Sequence, residues 1–294
     1  MNEDNKTISE FLLQSQDVDI SKYDEKFLAK SVMRRMTETY CTTEEAYFRY
    51  LKQSFIEGEQ FVHSLQISYS EFFRNSLTFS VLEKIVFPAL LLKKSISKNK
   101  EIRIWSTACA SGQETYSLAM LLKELTKGAD DKINFRIFAT DQSESQINEA
   151  QKGQYPESAL SYLSLKRVKE WFIKEGDVYS IKTELKENID FSVFDLFNEK
   201  QSSPPNSIFG DFDIVICANL LFYYKPKFRT QILKKTGGCL SKNGYLITGE
   251  TERDILVKSG FSEFIPQSAI FVPLASVHSR FRTTALSGLT GKVS

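Results

Sequence analysis

Apolar positions recur with helical spacing through the first third of the chain and then change period. From Lys22 to about Gly58, Phe27, Leu28, Val32 and Met36 define one helical face, and Tyr47, Phe48 and Leu51 define another. Thr42-Thr43-Glu44-Glu45 reads as an N-cap with acids in the first turn of the second helix. Residues 1–18 lack a sustained apolar pattern and predict a loose lead-in with one short helix. A further helical stretch is predicted from Phe79 to Lys94, interrupted at Pro88, and completes an N-terminal helical domain over residues 19–95.

After Lys100 strands and helices alternate, the pattern of an α/β domain with a doubly wound sheet, here spanning residues 96–278. Strands are predicted near 102–106, 134–140, 189–194, 212–217, 244–249 and 268–273. The most informative stretch is Glu101 to Leu122. Ile102 and Ile104 open it with the alternation of a buried strand. The turn from Ser106 through Ala108 to Gly112 is small enough for a ligand to approach the backbone. Helical spacing resumes at Tyr116, Ala119, Met120 and Leu122. Strand, small-residue turn and helix make the first half of a nucleotide-binding βαβ unit, with the ligand at the helix N-terminus. The G-x-G-x-x-G fingerprint is absent. Between the second and third strands, Tyr155 to Phe172 predicts a helix. A hairpin strand at Tyr179 to Lys182 follows the Glu175-Gly176-Asp177 turn. The tail, residues 279–294, is rich in Ser, Thr and Gly and reads as disordered.

Composition narrows the classes. The chain has 294 residues, 41% hydrophobic and 26% charged, with a net charge of +1, so no global field draws it to nucleic acid or to a membrane surface. Four scattered cysteines without a C-x-x-C pair argue against a zinc site or a disulfide framework, and only two histidines make a catalytic metal improbable. The polar, acidic N-terminus is not a signal peptide, and no apolar run is long enough to span a bilayer, so a cytoplasmic protein is expected.

Several residues admit two readings. Asp141, at the end of the second strand, either accepts hydrogen bonds from ribose hydroxyls or caps the helix beginning near Glu144. Glu114 is either a first-turn acid favoured by the helix dipole or a ligand contact. Arg74 is either a solvated arginine or a site residue carried by the Phe72-Phe73 pair. Lys26, Lys30 and Arg34, with Arg35 adjacent, place a basic stripe along one helix, either a solvated face or a dock for an acidic partner.

Four stretches in order, YSEFFR (69–74), ASGQETYSLA (110–119), FATDQS (138–143) and ICANLLFYY (216–224), make the chain resemble the CheR-type chemoreceptor glutamate methyltransferases over roughly residues 19–273. The resemblance implies a class I methyltransferase sheet behind an N-terminal all-helical domain, with a small inserted β-subdomain at about 155–188. It also implies S-adenosylmethionine as cofactor, leaving S-adenosylhomocysteine. Residue by residue it assigns cofactor contacts to Ser68, Ser70, Arg74, Ala108, Glu114, Asp141, Asp195, Leu196, Ala218 and Asn219. Among these, Glu114 meets the amino group, and Asp195 and Leu196 flank the adenine. Arg74 and Tyr223 are implied to act at the reacting centre. The chain departs from the family at Ser68, where asparagine is common, at Ser70, where threonine is usual, at Gln113 in place of a second acid, and at Ala218 in place of a basic residue.

The implied reaction is in-line transfer of the sulfonium methyl to a glutamate on the cytoplasmic helical bundle of a chemoreceptor. A glutamate with a pKa of about 4.3 is already ionised near neutrality, so positioning and water exclusion replace a general base. The docking surface would be the basic stripe of Lys26, Lys30, Arg34 and Arg35. A receptor-peptide tether pairing with the hairpin edge at Tyr179 to Lys182 is not expected, because the preceding loop is short and carries Glu175 and Asp177. A monomer without nucleic acid or direct membrane insertion is expected. The alternatives are a same-fold methyltransferase with another substrate and a non-catalytic cofactor-binding module.

Overall fold

The computed structural model describes residues 3–65, 69–127, 133–207 and 210–274. The predicted tail at 279–294 and the expected contact at Ser68 lie outside the described residues. The chain divides into two compact units, residues 1–68 with 220–230, and residues 69–219 with 231–294.

The first unit is helical: α1 (Glu3–Gln16), α2 (Glu25–Glu38), α3 (Glu44–Gln53) and α4 (Phe55–Ser64). Each of the last three begins at a side-chain cap. Asp24 accepts from Lys26 N–H, Thr43 from Ala46 N–H and Ser54 from Glu57 N–H. The core takes Ile8 and Leu12 from α1, Leu28 and Val32 from α2, Tyr47 and Leu51 from α3, and Phe61 from α4. The lead-in expected at 1–18 is therefore largely one helix with buried residues of its own. Its apolar positions are too sparse to show a stripe, yet Ile8 and Leu12 sit four apart on one face.

A buried carboxylate organises this core. Glu57 is 3% exposed, and its Oε1 and Oε2 accept from Arg35 Nε and Nη2 at 2.9 and 2.6 Å. Tyr47 Oη donates to Oε1 at 2.8 Å. Arg35 thus faces inward and is corrected from a docking residue to a structural one. Lys26, Lys30 and Arg34 are exposed.

The returning segment 220–230 belongs to this unit. Asp24 N–H donates to the Tyr223 carbonyl at 2.8 Å, and Lys225 N–H to the Lys22 carbonyl at 3.0 Å. Tyr23 and Tyr224 form a β-bridge with stacked rings, and the Phe27 ring meets Tyr223 edge-on at 4.9 Å.

The second unit begins at Tyr69, not near residue 95, so the helical stretch of 76–95 belongs with the sheet and not with the N-terminal helices. That stretch is α5 (Ser76–Val81), one π-type turn (Leu82–Val86) and α6 (Phe87–Ser95). Pro88 does not break it. The Phe87 N–H reaches back five residues to the Leu82 carbonyl, and the wider turn accommodates the proline, which donates no N–H.

The sheet strands are β1 (Glu101–Ser106), β2 (Asn134–Asp141), β6 (Ile189–Val193), β7 (Phe212–Ile216), β8 (Leu240–Ile247), β9 (Phe261–Glu263) and β10 (Ile270–Pro273). Their order is β6-β2-β1-β7-β8-β10-β9, parallel except for β10, which runs against both neighbours. The helices of this unit are α7 (Gln113–Thr126), α8 (Glu144–Lys152), α9 (Leu165–Trp171), α10 (Thr183–Lys186), α11 (Pro226–Gly238), which starts in the first unit, and α12 (Arg253–Lys258). From β1 the chain builds outward through β2 to β6, and then on the other side through β7. The strand order therefore reverses between β1 and β7, and the crevice at their carboxyl ends is the expected ligand site.

The insertion is a separate three-stranded antiparallel sheet, β3 (Gln154–Pro156), β5 (Val178–Ile181) and β4 (Phe172–Glu175). The helix expected over 155–172 is confined to a 3₁₀ turn at 157–160 and α9. The strand expected to offer an edge at 179–182 is central, with β3 and β4 on its two sides. No peptide can pair with β5 without displacing one of them.

Candidate active site

The turn after β1 is fixed by backbone bonds to both neighbouring strands. Thr107 N–H donates to the Ile216 carbonyl at 3.0 Å and Cys109 N–H to the Thr140 carbonyl at 2.9 Å. Ala110 and Gly112 take left-handed backbone, with φ of 46° and 92°. A Cβ on Gly112 would also lie 3.0 Å from that of Ala150, so the glycine serves both turn and helix packing. Gly112 caps α7 without a side chain, which leaves first-turn N–H groups to meet a ligand. Tyr155 from the small sheet pins the turn by donating to the Ser111 carbonyl at 2.7 Å.

Asp141 closes β2, and its Oδ2 accepts from Ala110 N–H at 3.0 Å while Oδ1 accepts from Ser143 N–H at 2.9 Å. Ser143, not Asp141, occupies the cap position of α8. Asp141 instead joins the β1 turn to the end of β2, and Oδ2, which accepts from Ala110 N–H, can accept from a further donor. Burial raises its pKa, against the lowering by Ser143, Ala110 and Gln142 N–H groups.

Glu114 is half-buried in the first turn of α7, with Oε1 accepting from Ser106 Oγ at 3.0 Å. Its pKa is pushed up to about 7 by removal from water, offset by the Ser106 bond and the Arg74 charge and assisted by Glu252. Burial also raises the Cys109 thiol, followed by the charges of Asp141 and Glu114. Burial is the main cause of both shifts, and a ligand cation would favour the ionised Glu114.

Arg74 is half-buried, its guanidinium 5.2 Å from the centre of the Tyr69 ring. Its segment is held by Phe72, fully buried against Tyr155 and Phe172, and by Phe73 N–H donating to Ser117 Oγ at 3.0 Å. Phe73 and Asn75 adopt left-handed φ of 51° and 64° on either side of the arginine. Ser70 is half-buried four residues before it.

Of the remaining predicted residues, Ala108 lies half-buried in the β1 turn. Asp195 and Leu196 follow β6, the aspartate exposed and accepting from Phe197 N–H, the leucine buried. Ala218 and Asn219 follow β7, half-buried, with Asn219 at φ 57°. Tyr223 lies in a short 3₁₀ turn after β7, in the first unit, against Phe27.

Sequence reasoning passed over Glu252 and Gly249. Glu252 is fully buried, and its Oε2 accepts from Asn219 N–H at 2.7 Å, Thr248 Oγ1 at 2.9 Å and Gly249 N–H at 3.0 Å. The available signal was the glycine at a strand end followed three residues later by glutamate, the spacing of a capping box.

These residues fit S-adenosylmethionine: orphan N–H groups at the α7 N-terminus, Asp141 at the end of the second strand, and the half-buried Glu114 whose charge a ligand ammonium would stabilise. The sheet order and this site define a class I, S-adenosylmethionine-dependent methyltransferase. The family described as CheR methyltransferase, SAM binding domain, matches residues 68–264. A chemotaxis protein methyltransferase of Borreliella burgdorferi is 33% identical over 214 residues, covering 70% of this chain and 72% of that protein. One from Listeria innocua is 30% identical over 236 residues, covering 80% and 84%. Chemotaxis protein methyltransferase 1 of Pseudomonas aeruginosa is 32% identical, covering 66% and 69%. The chain belongs to the CheR methyltransferase family. Among the described residues no helix is long and apolar enough to cross a membrane, and no cluster of metal-ligating side chains occurs.

Proposed function

We propose that this methyltransferase esterifies glutamate side chains on the cytoplasmic helical region of a chemoreceptor. The observation that carries the reading is the placement of Arg74, half-buried on a segment that Phe73 N–H ties to Ser117 of α7. Arg74, a cation suited to an acceptor carboxylate, lies close enough to Glu114 to lower its pKa. Glu114 in turn suits the ammonium of the cofactor. Family membership and the chemotaxis methyltransferases among its relatives support the chemotaxis setting.

When bound, S-adenosylmethionine supplies an electrophilic methyl group. Glu114 and Asp141 bind and orient it, with the N–H groups of the α7 first turn. Leu196 and Asp195 border the adenine, and Ser70, Ala108, Ala218 and Asn219 complete the contacts, Ala218 through its backbone alone. Arg74 holds the acceptor carboxylate, and Tyr223 assists in placing it. The acceptor is ionised before it binds, so no proton has to be removed. Orientation and exclusion of water account for the rate.

The acceptor helix docks on Lys26, Lys30 and Arg34 of α2, and acidic side chains on the receptor meet them. Docking weakens with salt, since exposed charges are screened over about 8–10 Å at ordinary ionic strength. The test is transfer of labelled methyl from S-adenosylmethionine into receptor-containing membranes, with recovery of base-labile methyl ester. Lys30→Glu with Arg34→Glu should abolish that transfer while leaving cofactor affinity intact. Absence of labile ester, with label in another acceptor, would assign the enzyme to a different substrate. Tight binding of a free receptor C-terminal peptide would replace α2 as the docking site.

A further inference from the structure

We infer that Glu252 is a positioning residue of the cofactor site, acting through the backbone of Ala218–Asn219. The segment after β7 is tied at each step. Cys217 N–H donates to the Ile247 carbonyl at 2.8 Å, the Cys217 carbonyl accepts from Thr248 Oγ1 at 3.1 Å, and Asn219 N–H ends on Glu252. Asn219 holds a left-handed backbone that a residue other than glycine seldom adopts, and such conformations persist where the surroundings over-determine them. The surroundings here are one carboxylate oxygen taking three donors and a glycine with no room for a side chain. A Cβ on Gly249 would lie 2.8 Å from Asn219 Oδ1, 3.0 Å from Asn219 N and 3.0 Å from Glu252 Oε2.

Glu57 holds its helical core by pairing with the side chains of Arg35 and Tyr47. Glu252 instead binds main-chain N–H groups at the carboxyl ends of β7 and β8, on the side where the ligand enters. Because the family's basic residue is Ala218 here, the contact at this position rests on backbone placement, and backbone placement rests on Glu252. The same carboxylate acts on Glu114, whose environment comprises Ser106, Arg74 and Glu252.

The test measures S-adenosylhomocysteine affinity by calorimetry on the full chain, with no turnover involved. Glu252→Ala should weaken binding roughly ten- to a hundredfold, the scale of a lost hydrogen bond to a charged group. Should that variant fail to fold, Glu252→Gln carries the test, with a severalfold loss of affinity expected. In Glu252→Gln the removal of like charge should also move the acid limb of binding, set by Glu114, to lower pH, which loss of packing alone would not do. Glu57→Gln serves as the control, expected to lower the melting temperature with S-adenosylhomocysteine affinity unchanged. Folded Glu252 variants with affinity within about twofold of the parent and an unmoved acid limb would overturn the assignment.

Discussion

Glu57 of the helical unit and Glu252 of the sheet unit are both buried carboxylates, and they are handled in opposite ways. Glu57 lies among side chains, where a forked guanidinium and a phenol neutralise and satisfy it. Its partners are shifted as that geometry requires. Hydrogen bonding to Glu57 raises the Arg35 pKa, and burial followed by the Glu57 bond raises that of Tyr47. Glu252 lies among backbone groups and holds a loop in a conformation that the chain would not otherwise take. One carboxylate joins three helices of a core, and the other shapes the floor of a site. A buried charge is thus informative about function through the identity of its donors, more than through its depth.

The largest effect expected from this comparison is on stability. Glu57→Ala takes from the half-buried Arg35 its two-pronged partner, leaving only Glu38, and strands the buried Tyr47 hydroxyl, a cost of about 3 kcal/mol. Urea unfolding should show that loss, while calorimetry finds cofactor affinity unchanged. A loss of cofactor binding in the folded variant would mean that the two carboxylates do not divide the labour as argued. Asp141→Ala should act in the opposite sense. S-adenosylmethionine and S-adenosylhomocysteine should weaken together by about 1.5–3 kcal/mol, because both share the ribose. Equal affinity in a folded Asp141→Ala protein would leave the residue only its tie to Ala110.

Arg74→Ala and Tyr223→Phe sharpen the contrast within the site. Methyl transfer should fall about tenfold or more with cofactor affinity within a few-fold of the parent, since contacts made at the reacting centre appear in turnover. Parallel losses in transfer rate and calorimetric affinity would make both residues cofactor ligands. The smallest effect is protonic. Glu114 has a folded pKa of about 7, above its ordinary value, so the ligand-free protein loses stability as pH rises from the usual carboxylate range toward 7. A cationic ligand favours the ionised form, so binding should release up to one proton in that window and weaken as pH falls through it. Calorimetry in buffers of different ionisation heat reads the proton directly, and Glu114→Gln should abolish it.

The centre of the sheet was legible because β1, β2 and β7 contain short runs of buried, mostly apolar residues. Ile102 and Ile104, or Phe212 to Ile216, have no other reading. β9 was missed since its three residues, Phe261 to Glu263, are only half-buried and carry no alternation. The break expected at Pro88 was absorbed by a turn whose geometry depends on one long hydrogen bond, which no residue pattern announces. Within the site, Asp141 and Glu114 could be found from their place after strand and turn. Glu252 carried only the local spacing of a capping box with Gly249, because the partner that ties it to the site, Asn219 N–H, is 33 residues away. The inward face of Arg35 was likewise hidden, since only Glu57 distinguishes it from Arg34 one residue earlier.

The return of residues 220–230 to the helical unit has a consequence for how the protein is made. Asp24 and Arg229 are 205 positions apart, yet Asp24 N–H also binds the Tyr223 carbonyl, and Tyr23 stacks on Tyr224. Helices α1 to α4 precede the sheet strands in the chain and can form locally, on the fast timescale of such elements. Their unit nevertheless lacks a β-bridge, a tyrosine stack and the Phe27 contact until the chain beyond β7 has been synthesised. A unit whose helices precede the sheet in the chain is therefore completed only after β7, and its final closure waits on a contact of very long sequence separation.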